Sequence, residues 1–460
     1  MKPGGPLGLW TALLMAQKQP TWRIAVIESF ELGNTQGSSG STDVRQFQQV
    51  YDKWYLSDLG RLAVPIWEDL ERRANLSNGT LFDRTHGFLY IDSTTTINST
   101  INNCHNLSLS CVLLNPTELK YNYSFISASP DQQAVFMSNS GFINVTLLLA
   151  VLRQLLEQIP NVVIRENEAY LAHDSEGDAI VNLKTTRGSL NASQVVFVPG
   201  PYAKNVSALL GFNLNMSLWE LSTFYARRLL TASSSTPIWF DDSFAGYSPE
   251  ANESSHAGYI RIEPHFIINA DQALSWPDQR TNKPDPQLLE ATRSWLRTHM
   301  AQTVNSEDIL PEPSTCLASV LPDGGYLLDY IPVNNTGKRI VMGAGGWAMK
   351  YVPVFADILT DLVLGTTADK SYKRYLDQFS FNVSGRLIPE PSTTTMTTTA
   401  TTTTSTLTSG SMNSQVELFK GLFGTFFMVA LLLLLYLSYI YYKHQEVRPC
   451  VRRRANYQPA

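Results

Sequence analysis

The chain has 460 residues, 43% hydrophobic and 16% charged, enough to bury a sizeable core and too apolar for wholesale disorder. Its net charge of −5 is uneven. Residues 443–460 carry Lys443, Arg448, Arg452, Arg453 and Arg454 against Glu446, a local +4 that leaves −9 on everything before it. Phosphate neutralisation needs a basic surface, so nucleic acid is excluded as a partner of the main body.

Two readings compete for residues 1–28. In one, Lys2 is the charged start of a signal peptide and residues 7–16 are its apolar stretch. In the other, Gly5-Pro6-Leu7-Gly8 ends a dinucleotide-binding turn, a helix covers 9–17, and the strand 22–27 runs into Glu28. Glycine at such a turn lets backbone N–H groups approach a pyrophosphate at the helix N-terminus. Glu28 lies 20 residues after Gly8, the spacing at which an acidic side chain accepts hydrogen bonds from ribose. This second reading accounts for more. A full G-x-G-x-x-G would begin at position 3, which is Pro3, and the strand that should precede it is missing. The expectation is therefore an N-terminally incomplete chain or a damaged nucleotide site.

Gly37 to Ser41, with Ser38 and Ser39, form a run of small polar residues suited to close backbone approach or to a surface loop. A helix is expected over 44–54, carrying Arg45. Apolar positions at Leu147, Leu148, Val151 and Leu155 predict a helix over 145–158, followed by a strand over 162–165. Residues 195–198 read as a buried strand that ends in Gly200. Cys104 and Cys111 sit close together in an Asn/Ser/Thr-rich insertion, where an oxidising compartment favours a short-loop disulfide. Cys316 is then left without a lumenal partner. A strand at 339–342, the glycine turn 343–346 and a helix opening at Trp347 to Lys350 follow.

The C-terminal end sets the expected topology. Residues 392–409 hold 15 Ser or Thr in 18, a composition that resembles an O-glycosylated stalk. Residues 421–442 carry no charge and would make roughly 33 Å of helix, enough for a hydrocarbon core of about 30 Å. Tyr436, Tyr439, Tyr441 and Tyr442 crowd the end next to the cationic tail, which the positive-inside rule places in the cytosol. The expectation is one span through the lipid bilayer, with the body lumenal or extracellular. Twelve Asn-x-Ser/Thr sequons precede the span, at Asn75, Asn78, Asn98, Asn106, Asn122, Asn144, Asn191, Asn205, Asn215, Asn252, Asn334 and Asn382, and none follows it. Cys450, beside the span, is a candidate palmitoylation site.

The segments 37–51 (GSSGSTDVRQFQQVY), 82–92 (FDRTHGFLYID), 141–169, 195–202 (VVFVPGPY) and 316–357, in this order and spacing, resemble the FAD-dependent amine oxidoreductases of the monomeric sarcosine oxidase and D-amino-acid oxidase type. The resemblance runs from about residue 5 to 365. It implies an α/β fold in which a discontinuous Rossmann-like FAD-binding domain (about 1–75, 141–215 and 310–365) joins a mixed-sheet α+β substrate domain (about 80–140 and 216–309). That body would fill 1–388, followed by a stalk at 389–415, the span and the tail. It also implies a small amine or amino-acid-like substrate.

By the same resemblance, Arg45 lies beside the flavin, where a fixed cation stabilises developing negative charge. Gly5, Gly8, Glu28, Ser38, Ser39, Gly200 and Gly345 line the cofactor. Cys316 falls on the cysteine that some members bond to the flavin, followed by the pattern's Pro322-Asp323; an inert thiol is the alternative. Lys350 aligns with a lysine that binds substrate carboxylate, and Arg261 falls where members carry a lysine over the flavin. His265 lies nearby, and the seven histidines show no metal-ligand spacing. Gln48 stands where oxidases of the family tend to carry a second carboxylate-pairing arginine, and it cannot form a charged fork. Two functions follow, with a dehydrogenase using another electron acceptor between them: an oxidase of C–N bonds passing electrons to O2, or a non-catalytic membrane glycoprotein keeping the flavoprotein fold for binding.

Overall fold

The computed structural model describes residues 5–33, 44–176, 180–229, 236–241, 243–248, 256–264, 273–312, 315–333, 338–367 and 370–388. The chain divides into a compact unit over 1–392 and a second over 393–460. The expected stalk, span and tail lie outside the described residues, as do Ser38, Ser39 and His265. Among the described residues no helix is long and apolar enough to cross a membrane.

Helix α1 (Pro6–Lys18) starts at proline, whose fixed φ suits a first turn, and buries Leu9, Trp10, Ala12 and Leu13. The apolar stretch that could have been a signal peptide is thus part of the core. Strand β1 (Ile24–Ile27) pairs in parallel with Val162–Arg165. The helix Val145–Glu157 leads into that partner strand and is capped by the Asn144 side chain, which accepts from the Leu147 N–H at 2.9 Å. Val195–Phe197 pairs in parallel with Ile340–Ala344, which pairs on its other side with Leu327–Tyr330. The helix Val352–Leu364 packs on α1 and on helix α2 (Trp54–Arg73). Trp10 meets Trp67 edge to face at 5.0 Å in the core these helices share.

A larger mixed sheet has the order Val304–Pro311, Phe224–Arg228, Tyr259–Pro264, Phe244–Tyr247, Ile238–Asp241, Phe88–Ser93, Gln132–Met137 and Cys111–Leu114. Its one parallel pairing joins Ile238–Asp241 to Phe88–Ser93. Pro286–His299 covers one face of this sheet, burying Leu288 and Leu296 with Trp239 and Ile260. Helix α3 (Thr94–Asn106) packs on its far end, and the Cys104–Cys111 disulfide links that helix to the edge strand.

The helix expected over 44–54 is not there. Residues Val44–Phe47 form strand β2, antiparallel to Gly141–Asn144 with Arg45 opposite Ile143, and the helix begins only at Trp54. Val44 and Phe47 are apolar ends that a sheet can use, and β2's ladder to Gly141–Asn144 outweighs the helical propensity of the following glutamines. Gly141 is forced by the strand on the other side, Phe82–Asp83: a Cβ there would lie 2.0 Å from the Asp83 carbonyl oxygen.

Residues 370–388 belong to the body although the sequence offered no role for them. Ser371–Phe379 is a 3-10 helix held by buried carboxylates of the core. Asp58 accepts from Arg61, Arg374 and Tyr375, and Asp361 from Lys18, Tyr372 and Thr366. These donors hold both carboxyls below the usual range against the opposing cost of burial. The fully buried Arg386 reaches Asp323 at 2.6 Å and caps the carbonyls of Gln378 and Ser380, tying this segment to the loop after Cys316.

Candidate active site

The first turn of α1 has no side-chain cap at Gly5, whose carbonyl accepts from the Leu9 N–H at 3.2 Å. A Cβ built on Gly5 would meet nothing within 4 Å, and Gly8 is buried against the core. Glu28 sits just past β1, buried, and accepts from the Phe30 N–H at 2.8 Å. Tyr202 lies close enough that the Glu28 charge helps push its phenol up to about 12, behind the larger effects of burial and Asp278. Tyr202 closes the 3-10 turn opened by Gly200, which takes the left-handed φ of 54°.

Strand β2 delivers Arg45 to Cys316, 271 residues later in the chain, with Nη2 3.9 Å from Sγ. Cys316 is a free, half-buried thiol that opens the strand Cys316–Val320, paired with Ser217–Leu221. Gly345, at φ 131°, and Gly346 press on that strand and on Tyr326. A Cβ on Gly346 would fall 2.7 Å from the Ser319 oxygen, and one on Gly345 2.9 Å from the Tyr326 ring. Trp347 then holds φ 54°, a left-handed conformation that a bulky residue rarely adopts. That strained position lies three residues before Lys350.

Lys350 lies in the 3-10 turn Met349–Tyr351, whose backbone is fixed by the Trp67 indole donating to the Lys350 carbonyl at 3.2 Å. Its ammonium donates to the Tyr51 hydroxyl at 2.6 Å, and that hydroxyl donates to the Gln48 carbonyl at 3.1 Å. The rings of Tyr51 and Tyr351 lie 4.8 and 5.8 Å from the ammonium. Desolvation under these rings lowers the Lys350 pKa to about 8, although part of the residue still meets solvent. The Tyr51 phenol is pushed well up by the same burial. The Gln48 amide donates to the Val50 carbonyl at 2.7 Å.

Arg261 is buried and does not stand alone. It pairs with Glu263 at 2.8 Å, donates to the Tyr225 hydroxyl at 3.1 Å, and lies between the Tyr225 and Tyr247 rings. Glu263 accepts from Gln46 at 3.5 Å, which connects Arg261 to the strand that carries Arg45. Arg45, Cys316 and the glycine turn are thus assembled, Lys350 packs next to β2 through its own turn, and Arg261 joins through Glu263. Tyr51, Tyr351 and Trp347 were not anticipated. Tyr51 ends the very segment that carries Arg45, three residues after Gln48, and nothing in the sequence marks its contact with a lysine 299 residues on.

These residues fit a flavin dinucleotide. The uncapped helix start suits phosphate, Glu28 suits ribose, and Gly345 and Gly346 let their turn pack on Tyr326 and Ser319 where a Cβ would clash.

Comparison with known proteins agrees with that fit. The family model of FAD-dependent oxidoreductases designated DAO matches residues 4–362. Human peroxisomal sarcosine oxidase is 25% identical over 354 residues, 74% of this chain and 84% of that protein. A Dictyostelium discoideum protein named as a bifunctional amine oxidase is 24% identical over 406 residues, and the chain spans only 36% of its length. The solved structure of NikD in its open form, an unusual amino acid oxidase essential for nikkomycin biosynthesis, is similar at a TM-score of 0.67. It is 25% identical, covering 81% of this chain and 94% of that one. The L-proline dehydrogenase of P. horikoshii shares the fold at 14% identity and a TM-score of 0.65, over 81% of this chain and 94% of that one. With most of its length matched from the turn of α1 to the helix after Lys350, the chain belongs to the DAO family of FAD-dependent oxidoreductases.

Proposed function

We propose that the protein oxidises the C–N bond of a small amine or N-substituted amino acid, with O2 as electron acceptor. The convergence of Arg45, Cys316 and the Lys350–Tyr51 pair in a chain of this family carries the reading. Bound FAD would take a hydride equivalent from the carbon beside the amine nitrogen and pass the electrons to O2, giving imine and hydrogen peroxide.

The chain's own side chains then have separate tasks. Lys350 neutralises an anionic substrate group from a site partly closed to water by Tyr51 and Tyr351, where a single charge is worth more than in solvent. The Tyr51 hydroxyl, anchored on the Gln48 carbonyl, holds that ammonium in one place. Arg45 keeps a permanent positive charge where negative charge develops, and Arg261 presents a second one steadied by Glu263. Gly5, Gly8, Glu28, Ser38, Ser39, Gly200 and Gly345 hold the cofactor, and Cys316 offers a sulfur for covalent attachment. In this reading residues 80–140 and 216–309 shape the substrate side, and 1–75, 141–215 and 310–365 the cofactor side.

The protein is further proposed to be a single-pass membrane glycoprotein, spanning at 421–442, with its body lumenal or extracellular. The Cys104–Cys111 disulfide supports an oxidising compartment. Exposure of Asn75, Asn78, Asn98, Asn106, Asn122, Asn191, Asn215 and Asn382 leaves their sequons accessible to glycosylation, whereas Asn144 and Asn205 are half-buried. One observation favours a second reading: Gln48 offers no charged fork and its amide is spent on Val50, as a binding module descended from the enzyme would tolerate.

A panel of secondary amines and N-methyl amino acids separates the two. The oxidase reading expects stoichiometric peroxide and imine from at least one member; silence across the panel, with the flavin bound, leaves the binding module.

A further inference from the structure

The loop that presents Tyr51 is gripped from two sides. On one, Ser57 of α2 accepts from the Tyr51 N–H at 2.8 Å and donates to its carbonyl at 3.0 Å, while Gly60 lies so close that a Cβ would be 2.6 Å from the Gln49 oxygen. On the other stands Asn103 of α3. Its buried amide donates to the carbonyls of Tyr51 at 2.9 Å and Asp52 at 2.7 Å. Facing two acceptors, the amide has only one satisfying orientation, with Nδ2 towards the loop.

The next residue is Cys104, fully buried and bonded to Cys111 on the edge strand. Cys104 shares a buried apolar cluster with Val50, the residue before Tyr51, and with Phe88, Val135 and Phe142. The Leu109 N–H returns to the Cys104 carbonyl at 2.9 Å, closing a tight loop around the disulfide. Nothing in the oxidation of a C–N bond calls for Asn103 or the disulfide, yet together they end on the carbonyl of the residue that holds the Lys350 ammonium.

We propose that Asn103, kept in place by the Cys104–Cys111 disulfide, is a positioning residue that aligns Tyr51 against Lys350. This rests on the reading of Lys350 as the anion-binding cation. Asn103 touches neither substrate nor cofactor; it acts by fixing the backbone from which the Tyr51 ring and hydroxyl project. Loss of its two hydrogen bonds lets residues 50–52 drift, uncovers the ammonium and weakens its hold by the phenol. The disulfide makes the arrangement dependent on an oxidising surrounding, because opening it frees the end of α3.

The test needs no substrate, so it stands apart from the question of turnover. Trace labelling of the full chain with acetic anhydride, read at Lys350 by peptide mass spectrometry, follows the neutral amine against pH. The native midpoint is expected near 8. In Asn103→Asp, which keeps the shape and loses the donors, it moves towards the 10.5 of an ordinary lysine, each pH unit meaning a tenfold drop in neutral amine at pH 7. Asn103→Ala and the native chain reduced with a phosphine move the same way, and Asn182→Ala on a distant surface strand does not. A native midpoint in Asn103→Asp overturns the proposal. A shift in Asn103→Asp with none on confirmed reduction or in Cys111→Ala overturns the part assigned to the disulfide. The reduced native chain supplies a reading even if a variant fails to fold.

Discussion

Lys350→Met is expected to lower kcat/KM for a carboxylate-bearing amine by about 10²–10³-fold, equivalent to about 3–4 kcal/mol of lost ion pairing in a desolvated site. Most of the loss falls on KM, and an uncharged amine of the same size loses far less. The same variant is expected to be more stable, not less. Burial pushes the Lys350 ammonium down to about 8 from 10.5, so the folded chain binds fewer protons than the unfolded one between those values. Stability therefore rises with pH across that window, and below about 8 the charged side chain is a net burden on the fold. Methionine removes a burden of the order of 1–3 kcal/mol, since part of Lys350 remains solvated. Function runs the other way: carboxylate binding weakens as pH climbs through about 8. Denaturant unfolding at pH 7 and pH 9.5, beside steady-state kinetics over the same range, checks both signs. A variant that is both less stable at pH 7 and kinetically unchanged contradicts the assignment.

The second large effect is expected at Arg45. Arg45→Met removes the permanent charge that β2 holds 3.9 Å from Cys316, and kcat is expected to fall roughly 10²–10³-fold with KM little changed. Arg45→Lys recovers part of the rate, because the charge returns without the planar fork that lets Arg45 reach both the Val44 carbonyl and the thiol. Single-turnover kinetics on the amine identified by the peroxide panel separates this from slower product release. An undiminished kcat in Arg45→Met removes Arg45 from the chemistry.

Much of the fold of residues 5–28 was legible because it is local. Glycine, an apolar helix, a short β-rich strand and an acid follow one another within 28 residues, and the structure builds them in that order. The short-loop disulfide was readable for the same reason. The Arg45 strand was misread because its partner Gly141–Asn144 lies nearly a hundred residues away, and no periodicity in four residues distinguishes a strand from a helix start. The Lys350–Tyr51 contact spans 299 residues and the Arg386–Asp323 pair spans 63, with no motif to announce either. The left-handed Trp347 was beyond reach altogether, since tertiary packing rather than residue type imposes it.

The central claim is that this chain folds around FAD, and the visible absorption spectrum of the purified full-length protein tests it most directly. The expected result is a yellow protein with the two-banded spectrum of an oxidised flavin, one FAD per chain. Persistence of the colour through acid precipitation, and its loss from the pellet in Cys316→Ala, would assign the linkage to that sulfur. A folded, colourless protein that takes up no flavin when FAD is added would contradict the account.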